Sequence, residues 1–276
     1  MKFRFPHVIL LTLFSCAALA SCGKEHSEPE NSVEVHVIMG QSNGLGRAYS
    51  FELPTELQQP LQGCYIYNTH TGKFELIQAG VNTMTEKGQF GPVVKAAQLL
   101  QQHKQKDVYF VVSGFGNSQL YHSGSNALLD WHPDSNELLE QSKETIEKAR
   151  AALVAEGKEP VFKTIAWWQG EADALVTEKA NAYQANEQAL FASLDKVTYL
   201  SGTNRVVYKI FSDLKSLPLA ATLNAGKAAR AAADKRTVAI IETNGYVRNP
   251  QDRLHADAAG QLQAGTDLFT AIKDAK

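Results

Sequence analysis

Apolar positions along this chain follow two alternating rhythms. Five short runs rich in β-branched or aromatic residues, Val33 to Met39, Val108 to Ser113, Phe162 to Trp168, Arg205 to Phe211 and Thr237 to Glu242, have the composition of strands. Between them, Gly91 to His103, Asn136 to Glu156, Thr177 to Leu200, Leu219 to Lys235 and Asp257 to Asp274 place apolar residues three and four apart among good helix formers, which predicts helices. Strands alternating with helices need crossover connections, and crossovers put helices on both faces of a mostly parallel sheet. The expectation is α/β: a three-layer α/β/α sandwich around a five-stranded sheet, flavodoxin-like in strand order.

Two stretches break the rhythm. From Ser50 to Gln89, Pro54, Pro60, Gly63, Gly72, Gly80 and Gly88 interrupt any long element, and Cys64 to Asn68 and Lys73 to Ile77 read as short edge strands in an excursion beside the active site. From Asn117 to Ser135 the chain is irregular and carries Tyr121, His122, Trp131 and His132. Long irregular loops in a compact domain are often functional, and these rings suit stacking on a ligand; the other reading of Trp131 is a plug in an apolar gap beneath the loop.

Composition adds an address. Lys2 and Arg4 precede an apolar run from Val8 to Ala20 that ends in Leu19-Ala20-Ser21-Cys22. Such a run is too short to remain as a spanning helix, and a cysteine directly after a small-residue cleavage site resembles the lipidated first residue of bacterial lipoproteins. Residues 1–21 are read as a lipoprotein signal, Cys22 as the lipidation site, residues 22–32 as a flexible tether and residues 33–276 as one domain. An ordinary secretory signal or a retained anchor is the competing reading. Either way the domain lies outside the cytoplasm; the lipoprotein reading places it in the cell envelope, with the membrane as a partner through Cys22. Of 3 cysteines, Cys16 and Cys22 fall in the leader, so Cys64 has no intrachain partner and packing alone must hold the fold. A net charge of −2 without a Lys/Arg cluster argues against nucleic acid as a partner.

Chemistry concentrates at strand ends. Gly40-Gln41-Ser42-Asn43-Gly44 sets a lone serine in a glycine-flanked turn directly after the first strand, where side chains emerge at the carboxyl edge of the sheet and backbone N–H groups are left to hold an oxyanion. Near the far end, Asp252-Arg253-Leu254-His255 spaces a carboxylate and an imidazole so that one ring nitrogen can bond the acid while the other faces the serine. Alone, Ser42 reads equally as a turn or N-cap serine, and His255 as a helix-capping residue with Asp252 as its partner.

These motifs, with Trp167-Trp168-Gln169-Gly170-Glu171-Ala172-Asp173 between them, resemble those of the SGNH hydrolases, and within them the sialate O-acetylesterase and carbohydrate acetylesterase branch. Gly40 to Asn43 is similar to that branch's nucleophile block and Phe90-Gly91-Pro92 to its Gly-Pro helix start. Ser113 to Leu120 is similar to its second block, although Gly116-Asn117-Ser118 stands where Gly-Gly-Thr or Gly-Gly-Ser is usual. The resemblance implies a serine esterase that removes acetyl groups from sugars, either sialic acid or xylan-type glycans, through an acetyl-serine, with Ser42, His255 and Asp252 as the triad and no cofactor. It implies oxyanion donors at the Ser42 N–H, the Gln169 amide and the Gly116 N–H. The substrate-contacting candidates are Asn43, Arg47, Asn117, Trp131, Glu171 and Arg253, with either arginine able to reach a sugar carboxylate.

Other readings compete. Gly-x-Ser-x-Gly invites an α/β-hydrolase, but that fold places its serine after several strands and draws its acid from a separate strand end. A non-catalytic carbohydrate-binding lipoprotein would use the same aromatic loops. Glu171 and Asp173, one residue apart, cannot flank a sugar bond from opposite sides, and a loop-bracing role suits Glu171 better. Asp130-Trp131-His132-Pro133-Asp134 mimics metal spacing, but Pro133 intervenes and no second histidine cluster accompanies it, so no metal is expected.

Overall fold

Val37, Ile38 and Met39 form an unbroken apolar stretch, which a strand can carry only with neighbours on both sides and cover on both faces. That is where β1 (Ser32–Gly40) lies, its carboxyl half buried throughout. In the computed structural model residues 1–3, 29–122, 124 and 129–275 are described, and the chain divides into Met1–Glu30 and a compact unit Asn31–Lys276. The expected signal segment, Cys22 and most of the tether lie outside the described residues.

After β1 come α1 (Ser42–Leu45), β2 (Ala48–Tyr49), α2 (Thr55–Gln58), β3 (Cys64–Asn68), β4 (Lys73–Leu76), β5 (Gln89–Phe90), α3 (Val93–Lys104) and β6 (Val108–Gly114). Then follow α4 (Leu138–Ala155), β7 (Glu159–Trp168), α5 (Thr177–Leu194), β8 (Asn204–Tyr208), α6 (Ala220–Ala233), β9 (Thr237–Ile241) and α7 (Ala258–Asp274). One sheet runs β4-β3-β6-β1-β7-β8-β9, all parallel except the β3–β4 hairpin, and β2 and β5 form a separate antiparallel ribbon.

The sheet therefore has 7 strands, not five. The hairpin expected beside the active site instead pairs with the amino-terminal half of β6, Cys64 opposite Val108, and Tyr65 stacks on Tyr109 at 5.0 Å. Without it β6 would expose an unpaired, strongly apolar edge. Set the hairpin aside and the remaining order, β6-β1-β7-β8-β9, is flavodoxin order. The chain leaves β1 towards β6 and later returns to β7 on its other side, so the carboxyl end of β1 is the topological switch point, where ligands of open α/β sheets bind.

Register assigns the layers. Met39, Ser113 and Trp167 are aligned across adjacent parallel strands and share a face. Ser113 bonds Ser142 of α4 at 2.7 Å and Trp167 donates to Tyr183 of α5 at 3.3 Å, so both helices cover that face. Trp168 points the other way, stacks on Tyr208 at 4.6 Å, and Tyr208 donates to the Ala264 carbonyl of α7 at 2.8 Å. α3 packs on α7 there, and α6 packs on α5.

Between the Ser42 turn and α3 no side chain intervenes: a Cβ on Gly91 would lie 2.1 Å from the Leu45 carbonyl oxygen. Gly91→Ala must therefore push backbone against backbone, and the thermal midpoint should fall by roughly 5–10 °C. Gly72→Ala, with a φ of +68° but nothing near its added carbon, should cost only the left-handed strain of about 1 kcal/mol. Equal shifts in a melting experiment would refute the close approach.

Candidate active site

At the switch point Ser42 opens α1, and the loop before α7 comes down over it. His255 Nε2 lies 2.9 Å from Ser42 Oγ, and its Nδ1 lies 2.8 Å from Asp252 Oδ2. The loop is built to hold this pair: Asp252 Oδ1 accepts from the backbone N–H groups of Leu254 and His255 at 2.8 and 3.0 Å, which a left-handed Arg253 (φ 57°) makes possible. Burial works against the Asp252 charge, but the hydrogen bonds from the His255 ring and the two N–H groups outweigh it and hold the carboxyl below its ordinary value. An ionised Asp252 requires the proton on Nδ1, so Nε2 is the acceptor facing the serine hydroxyl.

Asn43 carries no exposed surface and spends its side chain on the framework. Its Nδ2 donates to Glu171 Oε1 at 2.8 Å and to the Leu254 carbonyl at 3.2 Å, and its Oδ1 accepts from the Ala256 N–H at 3.0 Å. The expectation that Asn43 contacts substrate is corrected: it staples the serine turn to the histidine loop. Glu171 is its partner; burial raises the Glu171 carboxyl above its ordinary value, and Oε2 has no partner among the described residues.

Three further expectations change. Gln169 is fully buried; its Nε2 donates to the Ser118 carbonyl at 3.0 Å and to Asp173 Oδ2 at 2.8 Å, while its Oε1 accepts from Tyr183 at 2.8 Å. Both amide hydrogens are spent, so Gln169 has none left for an oxyanion. Trp131 is buried, donates to Ser118 Oγ at 2.8 Å and meets Trp167 edge-on at 5.2 Å, so it fills the gap under the loop and offers no face to sugar. Arg253 is exposed and stands outside the lining of the cavity over Ser42.

That cavity has a volume of about 560 Å³. Ser42 and His255 line it with Gln41, Arg47, Gly116, Asn117 and Glu171, and Phe115, Leu175, Leu217 and Leu254 supply apolar wall. Arg47 is ion-paired with Glu86 at the mouth. Gln41 is the residue the sequence reading passed over. It is only 3% exposed, its Oε1 accepts from the Gly170 N–H at 3.2 Å, and no acceptor among the described residues meets its Nε2. A polar side chain between a buried strand end and the serine was the available signal.

Compared with known families, the chain matches the one described as carbohydrate esterase, sialic acid-specific acetylesterase, over residues 32–274. The chain belongs to this family. It is a carbohydrate O-acetylesterase by that membership. Similar solved structures include a protein of Arabidopsis thaliana (19% identity, TM-score 0.69, covering 89% of this chain and 98% of that one) and NanS (15%, TM-score 0.58, 88% and 97%). A third is a carbohydrate acetylesterase from Xanthomonas citri, at 13% identity and TM-score 0.57, covering 87% of this esterase and 55% of that chain. At such identities the likeness shows the shared fold. No curated protein sequence matches the chain.

Asp173 anchors the irregular loop by accepting from the Leu120 and Tyr121 N–H groups at 2.9 and 3.0 Å, and burial pushes its carboxyl up to about 6. Between about pH 4 and 6 the folded esterase keeps a proton there that the unfolded chain has released. Stability from this group should therefore fall as pH rises through that window, by about 3 kcal/mol in all, and stay level above it. Denaturant titrations of wild type and Asp173→Asn across pH 4–7 test this: the difference between the two curves should carry that slope, and parallel curves would contradict it.

Proposed function

We propose that the chain is a serine esterase that cleaves O-acetyl groups from sugars through an acetyl-serine at Ser42. The observation that carries the reading is the continuous hydrogen-bond chain from Asp252 through His255 to Ser42 on a cavity wall. Ser42 Oγ attacks the acetyl carbonyl as its proton passes to His255 Nε2, and Asp252 holds the ring and the imidazolium that forms. Collapse of the tetrahedral adduct breaks the bond to the sugar oxygen, which takes the proton from Nε2. Water then enters, gives a proton to the same nitrogen and attacks the acetyl-serine; this second adduct collapses to acetate as Ser42 Oγ leaves and takes the proton back from Nε2.

Negative charge on the carbonyl oxygen would be met by the Ser42 and Gly116 N–H groups and by Gln41 Nε2, which takes the place first expected of Gln169. Gln41 suits the task because its oxygen is fixed on Gly170, so the amide need not reorganise as charge develops. Arg47 supplies positive charge to the cavity lining, with Asn117 beside it. This favours an acidic sugar, an O-acetylated sialic acid, whose carboxylate would draw the guanidinium from Glu86. The Cys22 motif supports a lipid-anchored placement in the bacterial envelope, outside the cytoplasm.

Purified protein should hydrolyse p-nitrophenyl acetate, and Ser42→Ala should lower turnover by at least about 10³-fold; a variant as active as wild type sinks the reading. Gln41→Glu retains an acceptor for the Gly170 N–H but removes the donor, so kcat should fall by roughly 10²-fold with the fold intact by circular dichroism. If Gln41 only braces Gly170, the Glu variant keeps its rate.

A further inference from the structure

A second cavity, of about 580 Å³, adjoins the first, and Arg47 lines both. Its wall carries the rings of Tyr49 and Phe51, stacked on each other at 5.3 Å with 19° between their planes. Phe51 is 72% exposed and Tyr49 43%, so most of this pair lies bare. Single exposed apolar residues need no explanation, but a stacked pair facing a hollow is a ready surface for an apolar partner. Asn249, Pro250 and Gln251 line the same cavity. The Asn249 Oδ1 accepts from the Gln251 N–H at 2.9 Å, while no acceptor among the described residues meets its Nδ2 or the Gln251 amide.

Exposed aromatic rings and unspent amide donors lining one cavity fit a pyranose, which presents a C–H face to a ring and hydroxyls at its rim. Glu52 and Asp257 in the lining disfavour an anionic occupant. We infer that Tyr49, Phe51, Asn249 and Gln251 form a subsite for a neutral pyranose linked to the acetylated sugar, so that the enzyme acts on the residue within a longer glycan. The inference rests on the esterase reading above. The two sites are also joined by the chain itself, since the Asn249 N–H donates to the His255 carbonyl at 2.8 Å. A sugar held by Asn249 therefore bears on the loop that carries the histidine.

The test compares substrates of two lengths: O-acetylated sialic acid against its sialyl-lactose form, and acetylated methyl xyloside against acetylated xylotriose. For whichever pair is turned over, the longer member should have a kcat/KM about tenfold higher in the wild type, chiefly through KM. Phe51→Ala should erase that advantage while p-nitrophenyl acetate and the short sugar are hydrolysed as before. Removal of a side chain this exposed leaves folding intact. An equal rate on both lengths, an advantage that survives Phe51→Ala, or no turnover of either pair by an enzyme active on p-nitrophenyl acetate would overturn the subsite. Failure to hydrolyse p-nitrophenyl acetate would instead strike at the esterase reading.

Discussion

One buried carboxamide holds the site together. Asn43 joins three segments that lie far apart in sequence: the turn after β1, the Gly170–Glu171 loop after β7 and the Leu254–Ala256 stretch before α7. Its main-chain carbonyl adds a fourth tie, accepting from Gln261 of α7 at 3.2 Å. In an interior of low dielectric such a network is favourable only when nearly complete, because each orphaned group costs on the order of 1–3 kcal/mol. The distance between Ser42 and His255 is thus set by a side chain that is itself fully buried.

Behind this staple lies a second layer of buried polarity. Glu187 of α5 bonds Arg230 at 2.7 Å and Lys227 at 3.2 Å, both on α6, and the Lys227 ammonium sits 4.9 Å from the centre of the Tyr183 ring. Tyr183 orients Gln169, Gln169 bonds Asp173, and Asp173 holds the backbone of the irregular loop at Leu120 and Tyr121. A charge cluster between two helices is in this way connected to the irregular loop after β6. Such clusters are weak sources of stability compared with apolar packing, and their value here is in fixing orientation.

Much of this was legible in the chain. Runs of β-branched and aromatic residues marked the five central strands, and period-3.6 patterning the helices between them, since strands buried on both faces have few compositions open to them. The spacing of Asp252 and His255 carried the geometry of their turn, because a local motif depends little on the rest of the fold. Gln169 and Trp131 were misjudged for one reason: a side chain's type does not say which way it faces. Gln41 and Gln169 both end adjacent parallel strands, yet one amide turns to the cavity and the other to α5. The β3–β4 hairpin was seen as strands, but its docking on β6 depends on which sheet edge is left open, and that is a property of the assembled sheet.

The loop that carries Asp252 and His255 also closes on itself. The Asn249 N–H bonds the His255 carbonyl and the Arg253 N–H bonds the Asn249 carbonyl, each at 2.8 Å. Asp252 and His255 thus sit in a closed turn whose internal bonds run between Asn249 and His255. Insertions between β9 and Val247, ahead of the residues that pair with Ala256 and Asp257, can lengthen or reroute the approach to this turn without touching these bonds. A scaffold of this kind can diversify its choice of glycan while its chemistry stays fixed.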